Sequence, residues 1–432
     1  MAIYPSEPLV SPSNAIFPSG SAGLATSAPA ITYAIRALWP LAASTAVQFD
    51  LTTFGEDDKF ADPLSADFTA PEVDIIGGVE SVSIKRGRDD NLDAFSMGEC
   101  SITINDQDGR YNPANVDGPL YGLLRPMRQM LVEATVAGLG TVTLFRGFIR
   151  SIDHNADPHR KTTTFALGDL FLYMGKTRPV FTNKGSATTT GEVVGVMMTA
   201  MGVTAETEIS TGDVIPSPGV GNSSTGETAL GKVQQLLEIE RGEFFVSGPG
   251  VPIYRSRYFR DAKALTATFK NVSADLIVAT DLERVKNKAT VQREGFSTSE
   301  WSDGVSIAAY GQQDFSAISS PYFVSGVQAL SLAQWLVSQR SSPLSVFRGI
   351  TLIPKALETA GAQYALTAEI GDRIMVENTS VGQPVLGYFV ESVAHQIDPL
   401  LHKVRLSLTP IFNEIFLLDT VTATLDTGIL AY

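Results

Sequence analysis

Apolar and polar residues alternate with a period of two through much of the first part of the chain. In "CSITI" (100–104) the apolar positions Cys100, Ile102 and Ile104 fall on one face, and "VESVSIKRG" sets Val79, Val82 and Ile84 among polar residues. Such alternation predicts antiparallel strands with one wet face. Strand-like text begins at "VQFDLTTF" (47–54). Upstream, residues 1–34 are rich in Ser, Ala and Pro and carry no regular period, which predicts an N-terminal arm, disordered or ordered only against a neighbour.

The period changes in the middle of the chain. Apolar residues at Val193, Val194, Met197 and Met198, and again at Leu230, Val233, Leu236 and Leu237, have helical spacing. Ser224 with Glu227 fits a capping box for the second helix, and Gly242 is a suitable stop. "EFFVSGPGVPIYRSR" (243–257) then reads as two short strands around a Gly-Pro-Gly turn. A further helix is predicted at about 327–340, with Leu330, Ala333, Leu336 and Val337 as its buried stripe.

Two distant stretches repeat each other. "FIRSIDHNADPHRK" (148–161) and "FVESVAHQIDPLLHK" (389–403) match in one register at Phe148 and Phe389, Ser151 and Ser392, His154 and His395, Asp157 and Asp398, and Pro158 and Pro399. "RQMLVEA" upstream is echoed by "RIMVEN", and "TTTFALGD" downstream by "VRLSLTP", each with a small shift. Each copy reads as strand, loop, longer strand, Asp-Pro turn, strand, a three-strand meander used twice. The expected architecture is mainly β with α+β insertions: two similar antiparallel β-barrel domains flanking a small α+β domain. Its divisions are the arm (1–34), a first barrel (35–168), the α+β domain (169–264), a second barrel (265–412) that holds the inserted helix, and an apolar, acidic tail (413–432). A chain of 432 residues accommodates this, since its length suits about two to four domains.

Charge narrows the partners. The formal net charge is −14, and the one basic run, "KRGR" (85–88), is followed by Asp89, Asp90 and Asp93, read here as offsetting it. A nucleic-acid grip needs clustered Lys and Arg to displace counterions, so no specific nucleic-acid binding is expected. No apolar run is long enough for a bilayer, no secretory signal is visible, and the single Cys100 excludes an internal disulfide.

Candidate chemistry concentrates at "NDQDGRYNP" (105–113). If Gly109 were sixth in a calcium loop, Ile104 would be first and Asn115 twelfth, so two required ligands are missing. Asp106 and Asp108 beside Gly109 are read instead as solvated turn formers, not a catalytic pair. All four histidines (His154, His159, His395, His402) fall in the repeated units, where His154 and His395 hold equivalent, separate positions, against a shared metal site. No nucleophile motif, zinc-protease motif, phosphate loop or dinucleotide fingerprint is present, and no enzyme activity, cofactor or metal is expected.

The run "VESVSIKRGRDDNLDAFSMGECSITINDQDGRYNPAN…GPLYGLLRPMRQMLVEA" resembles the opening domain of minor tail proteins of long-tailed bacteriophages, tail-tip hub proteins related in fold to the baseplate hub of contractile tails. The motifs that carry it are Arg86 to Arg88, Leu92 to Gly98, Asp106 to Pro113 and Tyr121 to Pro126, and "GDRIMVEN…GYFVESVAHQIDP…VRLSLTP" resembles the closing β domain. The resemblance implies a homotrimer whose two barrels per subunit make a pseudo-sixfold adaptor. That adaptor would lie between a sixfold distal tail protein ring and a threefold central fibre or spike, closing or lining the tail channel, with the C-terminal end of the tape-measure protein inside. It implies a virion protein assembled in the host cytoplasm. The alternative is a receptor- or carbohydrate-binding tail protein, with Trp301 and Tyr310 on its surface. Expected structural and interface residues are Asp106, Asp108, Gly109, Arg110, Tyr111, Arg125, His154, Asp157, His395 and Asp398. Arg110 and Tyr111 are expected to anchor their loop or meet a neighbouring subunit.

Overall fold

The computed structural model describes residues 30–38, 73–74 and 78–411, apart from 137, 158, 180–187, 204–206, 216–227, 258, 271–276, 280–283, 344–345 and 379–382. The strand text at 47–54, Pro158, the capping box at Ser224 and Glu227, and the tail 413–432 lie outside the described residues.

The described chain opens with β1 (Ile31–Leu38), β2 (Val73–Asp74), β3 (Val79–Gly87), β4 (Ser96–Asn105), β5 (Gln129–Val136), β6 (Gly140–Asp157) and β7 (Arg160–Gly168). The arm was expected to hold no regular element, yet β1 begins at Ile31. Ile31, Ile35 and Ala37 are buried, and the whole strand pairs with β5, from Ile31 opposite Val136 to Leu38 opposite Gln129. Tertiary pairing overrides a weak local signal there. On β4 the expected face of Cys100, Ile102 and Ile104 is fully buried.

The insertion contains α1 (Leu170–Met174), β8 (Thr188–Thr189), α2 (Thr190–Ala200), β9 (Glu208–Ile209), β10 (Val214–Ile215), α3 (Ala229–Glu240), β11 (Glu243–Val246) and β12 (Pro252–Arg255). Both expected helices form. The capping box belongs to α2, where Thr189 Oγ1 accepts from Glu192 N and Glu192 Oε2 accepts from Thr189 N. Thr228 caps α3, which ends at Arg241 with φ +50 rather than at Gly242. β11 and β12 form the expected hairpin.

Next come β13 (Leu265–Lys270) and β14 (Ile277–Ala279), then a lobe of β15 (Lys288–Arg293), β16 (Thr298–Ser302), α4 (Gly304–Tyr310), β17 (Ile318–Ser320) and α5 (Gly326–Arg340). In α5, Ala333, Leu336 and Val337 are buried as expected, joined by Ala329 and Leu332, while Leu330 is half-buried. The chain returns through β18 (Val346–Leu352), α6 (Thr359–Thr367), β19 (Arg373–Asn378), β20 (Gln383–Ile397) and β21 (His402–Pro410).

The molecule is mainly β, and its two β units are halves of one curled, 13-stranded sheet in the order β14-β18-β21-β20-β3-β4-β7-β6-β5-β1-β2, with β19 and β13 branching from β20. The duplication extends beyond the meander. β3-β4-β7-β6-β5-β1 in the first half corresponds, strand for strand, to β14-β18-β21-β20-β19-β13 in the second. The match reaches single residues. The β6–β7 register slips between Ile149 and Ser151, and the β20–β21 register slips between Val390 and Ser392. Both meanders therefore carry a one-residue bulge at the same place, Arg150 in one and Glu391 in the other. The sixth strand breaks the symmetry, because β1 runs antiparallel to β5 whereas β13 runs parallel to β19.

Candidate functional site

The two halves meet where β20 pairs with β3, from Ser392 opposite Gly87 to Ile397 opposite Val82. Gly87 sits at φ +101, and a Cβ there would lie 2.2 Å from Glu391 O, so only glycine admits this approach. Beside it the Glu391 side chain is completely buried. Arg88 Nε donates to its Oε2 at 2.8 Å and Arg260 Nη1 to its Oε1 at 2.7 Å, while Glu243 Oε1 stands 3.5 Å from Arg260 and 3.9 Å from Arg88. Burial alone would raise the Glu391 carboxyl's pKa, but the two guanidiniums outweigh it and hold the group below its ordinary value. Arg86 adds a second cross-link, donating to Glu369 Oε1 at 2.6 Å and to Val246 O. Arg88 also covers the Phe95 ring, and Arg260 the Phe389 ring.

These contacts correct the reading of "KRGR" as a run offset by the aspartates that follow. Only Lys85 pairs in that way, with Asp89 at the surface. Arg86 and Arg88 are buried and reach carboxylates roughly 300 residues away, while Asp90 pairs with Arg284 and Arg340. Arg88 was noted in the sequence only as part of the basic run and its motif, and Arg260, Glu243 and Glu391 were not singled out, because charges that pair across the fold have no local spacing to betray them.

The "NDQDGRYNP" loop leaves the end of β4. Asp106 is not solvated: it is 3% exposed, and its carboxylate accepts from Tyr111 N at 3.1 Å and Thr163 Oγ1 at 2.8 Å, with His154 Nδ1 3.4 Å away. His154 Nδ1 also lies 2.8 Å from Thr163 Oγ1, so Asp106 and His154 belong to one cluster that ties the loop to the β6–β7 hairpin. Asp108 is exposed, Gly109 turns at φ +66, and Asn115 Nδ2 donates to Gly109 O. Tyr111 is buried edge-on to Phe165, and burial raises its pKa. Arg110 is exposed with its guanidinium 5.6 Å over the Tyr111 ring, and Arg125 is exposed too.

In the second half the equivalent histidine is built in differently. His395 Nδ1 is 3.1 Å from His402 Nε2, and His402 Nδ1 is 2.8 Å from Tyr33 Oη on β1. Both rings are buried. Burial, then the other imidazole, drives His395 well below its ordinary pKa, and burial with nearby Lys355 lowers His402 to about 4. Tyr33 and His402 border an apolar cavity of about 140 Å³ lined also by Ile35, Val82, Val132 and Leu401. Asp157 and Asp398 sit in exposed turns: Asp157 Oδ1 accepts from His159 N, and Asp398 N donates to Leu401 O.

Two solved structures share this architecture. A 43 kDa tail protein of prophage MuSo2 from Shewanella oneidensis superposes with a TM-score of 0.55 at 12% identity, over 88% of this chain and 98% of that one. A tail protein from Neisseria meningitidis MC58 gives 0.51 at 11% identity, over 88% and 96%. The fold is that of phage tail proteins. No family model and no curated protein matches the sequence. Among the described residues of this tail-protein fold the lobe is the part richest in exposed large apolar side chains, with Trp301 44% and Tyr310 39% exposed. Among the described residues no group of three or more His, Cys, Asp or Glu is placed to hold a metal ion. No described helix is long and apolar enough to cross a membrane.

Proposed function

We propose that this chain is a structural tail-tip hub: a trimer in which the two halves of each subunit supply six similar β units around a pseudo-sixfold ring. The ring would join a sixfold tail ring to a threefold fibre or spike and enclose the end of the tape-measure protein, in a virion assembled in the host cytoplasm. One observation carries this reading beyond the tail-protein fold. The same strand order, with the same bulge, occurs twice in one sheet, and a duplicated unit lets three chains meet a sixfold partner. The role is read as non-enzymatic, and Asp106, one of the two carboxylates weighed as a catalytic pair, has its oxygens engaged by Tyr111 N and Thr163 Oγ1.

Native mass spectrometry of the purified chain at micromolar concentration tests the trimer, and a monomer there removes the reading. Arg110, exposed on the loop that Asp106 and Tyr111 hold in place, is assigned to the subunit contact. Arg110→Ala should lower the trimer fraction, and an unchanged fraction would take Arg110 out of the interface.

A further inference from the structure

The duplicated sheet contains one joint that is filled in the second half and open in the first. Along β20, residues 392–397 use both edges, one for β21 and the other for β3. The equivalent stretch of β6, residues 151–157, pairs with β7 on one edge, and among the described residues no strand pairs with the other. β5 covers only the earlier part of β6, as far as Phe148. Exposure follows the difference. Ser392, Val393, His395 and Ile397 are all buried, whereas the matching Ser151, Ile152 and His154 are half-buried and Ala156 is exposed. The strand equivalent to β3 is β14, which ends the sheet: it pairs with β18 and, among the described residues, offers its far edge to nothing.

We propose that the open edge of β6 at 151–157 receives strand β14 of a neighbouring copy, repeating between chains the joint that β20 and β3 make within one. An unpaired edge strand is a template for another strand, and here the chain shows how the template is used. Polarity agrees, because β3 runs antiparallel to both β4 and β20, and β14 runs antiparallel to β18. So does register. Ser151, Ala166, Ser101 and Ser83 form one row across the first half, and Ser392, Ser407, Gly349 and Ile277 form the matching row across the second. Within the chain Ser83 faces Gln396, so between chains Ile277 should face Asn155, the residue equivalent to Gln396. The contact is head-to-tail and offers every copy one donor and one acceptor, an arrangement that forms a ring when its rotation closes, as the trimeric hub requires. The inference rests on the hub reading and adds the surface through which the subunits join.

The test uses the full chain carrying Asn155→Cys and Ile277→Cys, oxidised and run on a non-reducing gel. Linked species up to a covalent trimer are expected, with each single variant staying unlinked; Cys100 is buried and does not compete. The unsubstituted chain supplies a second readout, should the Ile277→Cys substitution disturb the fold. Amide exchange over 151–157 should slow at least about 100-fold in the trimer relative to the diluted chain. A trimer that shows neither the link nor the slowing overturns the β6–β14 joint while leaving the hub intact. A chain that stays monomeric throughout takes the hub reading down with it.

Discussion

Arg150 and Glu391 occupy the same bulge of the same meander, yet they live in opposite surroundings. Arg150 is 48% exposed and pairs at 2.9 Å with Glu99, itself 57% exposed. Glu391 has no exposed surface and is clamped between Arg88 and Arg260. The histidines differ in the same sense: His154 shares Asp106 and Thr163 near the surface, while His395 is enclosed with His402 and Tyr33. The two copies share backbone geometry, while their side chains differ with what each edge meets. The second meander faces β3 and the α+β insertion, and its bulge is part of an interior joint. The bulge of the first is wet and charged.

The contrast is most strongly tested at Glu391. Removing its carboxylate by Glu391→Ala leaves two buried guanidiniums without their main partner, and a loss of about 3–5 kcal/mol in denaturant unfolding is expected. A loss below about 1 kcal/mol would mean that the ion cluster does not hold the halves together. Acid should act next, through the enclosed histidines. His402 titrates at about 4 in the folded chain against an ordinary 6.5, so the unfolded chain binds more protons between those values. Stability should therefore be complete above pH 6.5 and fall as the pH drops toward 4, by roughly 3 kcal/mol from this ring, and His402→Gln should flatten that slope. The lowered Glu391 pKa works in the same direction at still lower pH, its contribution disappearing as the carboxylate protonates. An equally steep fall in the His402→Gln variant would place the acid sensitivity elsewhere.

Smaller effects are expected in the first half. Asp106→Ala strips Tyr111 N and Thr163 Oγ1 of their buried acceptor and should lower stability by about 1–3 kcal/mol, with faster amide exchange confined to the 106–126 loop. If unfolding is unchanged, Asp106 is no anchor. Arg150→Ala removes an exposed ion pair and should change monomer stability by no more than about 0.5 kcal/mol. A loss comparable to that of Glu391→Ala would show that the two bulges are not different in kind.

Much of this fold could be read from residue order alone. The alternation at Cys100, Ile102 and Ile104, the helical spacing at Val233 and Leu236, and the repeat running from Phe148 and Phe389 are all local patterns, and each appears where expected. The β3–β20 seam was not legible, because it joins residues some 300 positions apart and nothing near Arg88 or Glu391 marks them as partners. Asp106 was misjudged for a related reason. Its neighbours Asp108 and Gly109 have the composition of an exposed turn, and nothing in that spacing shows the approach of Thr163 from β7 and His154 from β6. Strand β14 has three residues, too few for any period to show.

The joint between β20 and β3 also bears on dilution. Two separate chains meeting through such an edge would associate only as far as their concentration allowed. Carried on one polypeptide, the same edges face each other at an effective concentration on the order of millimolar, whatever the number of molecules present. Half of the contacts in a ring of such units would then form as each chain folds, independent of supply. Only the remaining half would sense how many copies the cell has made.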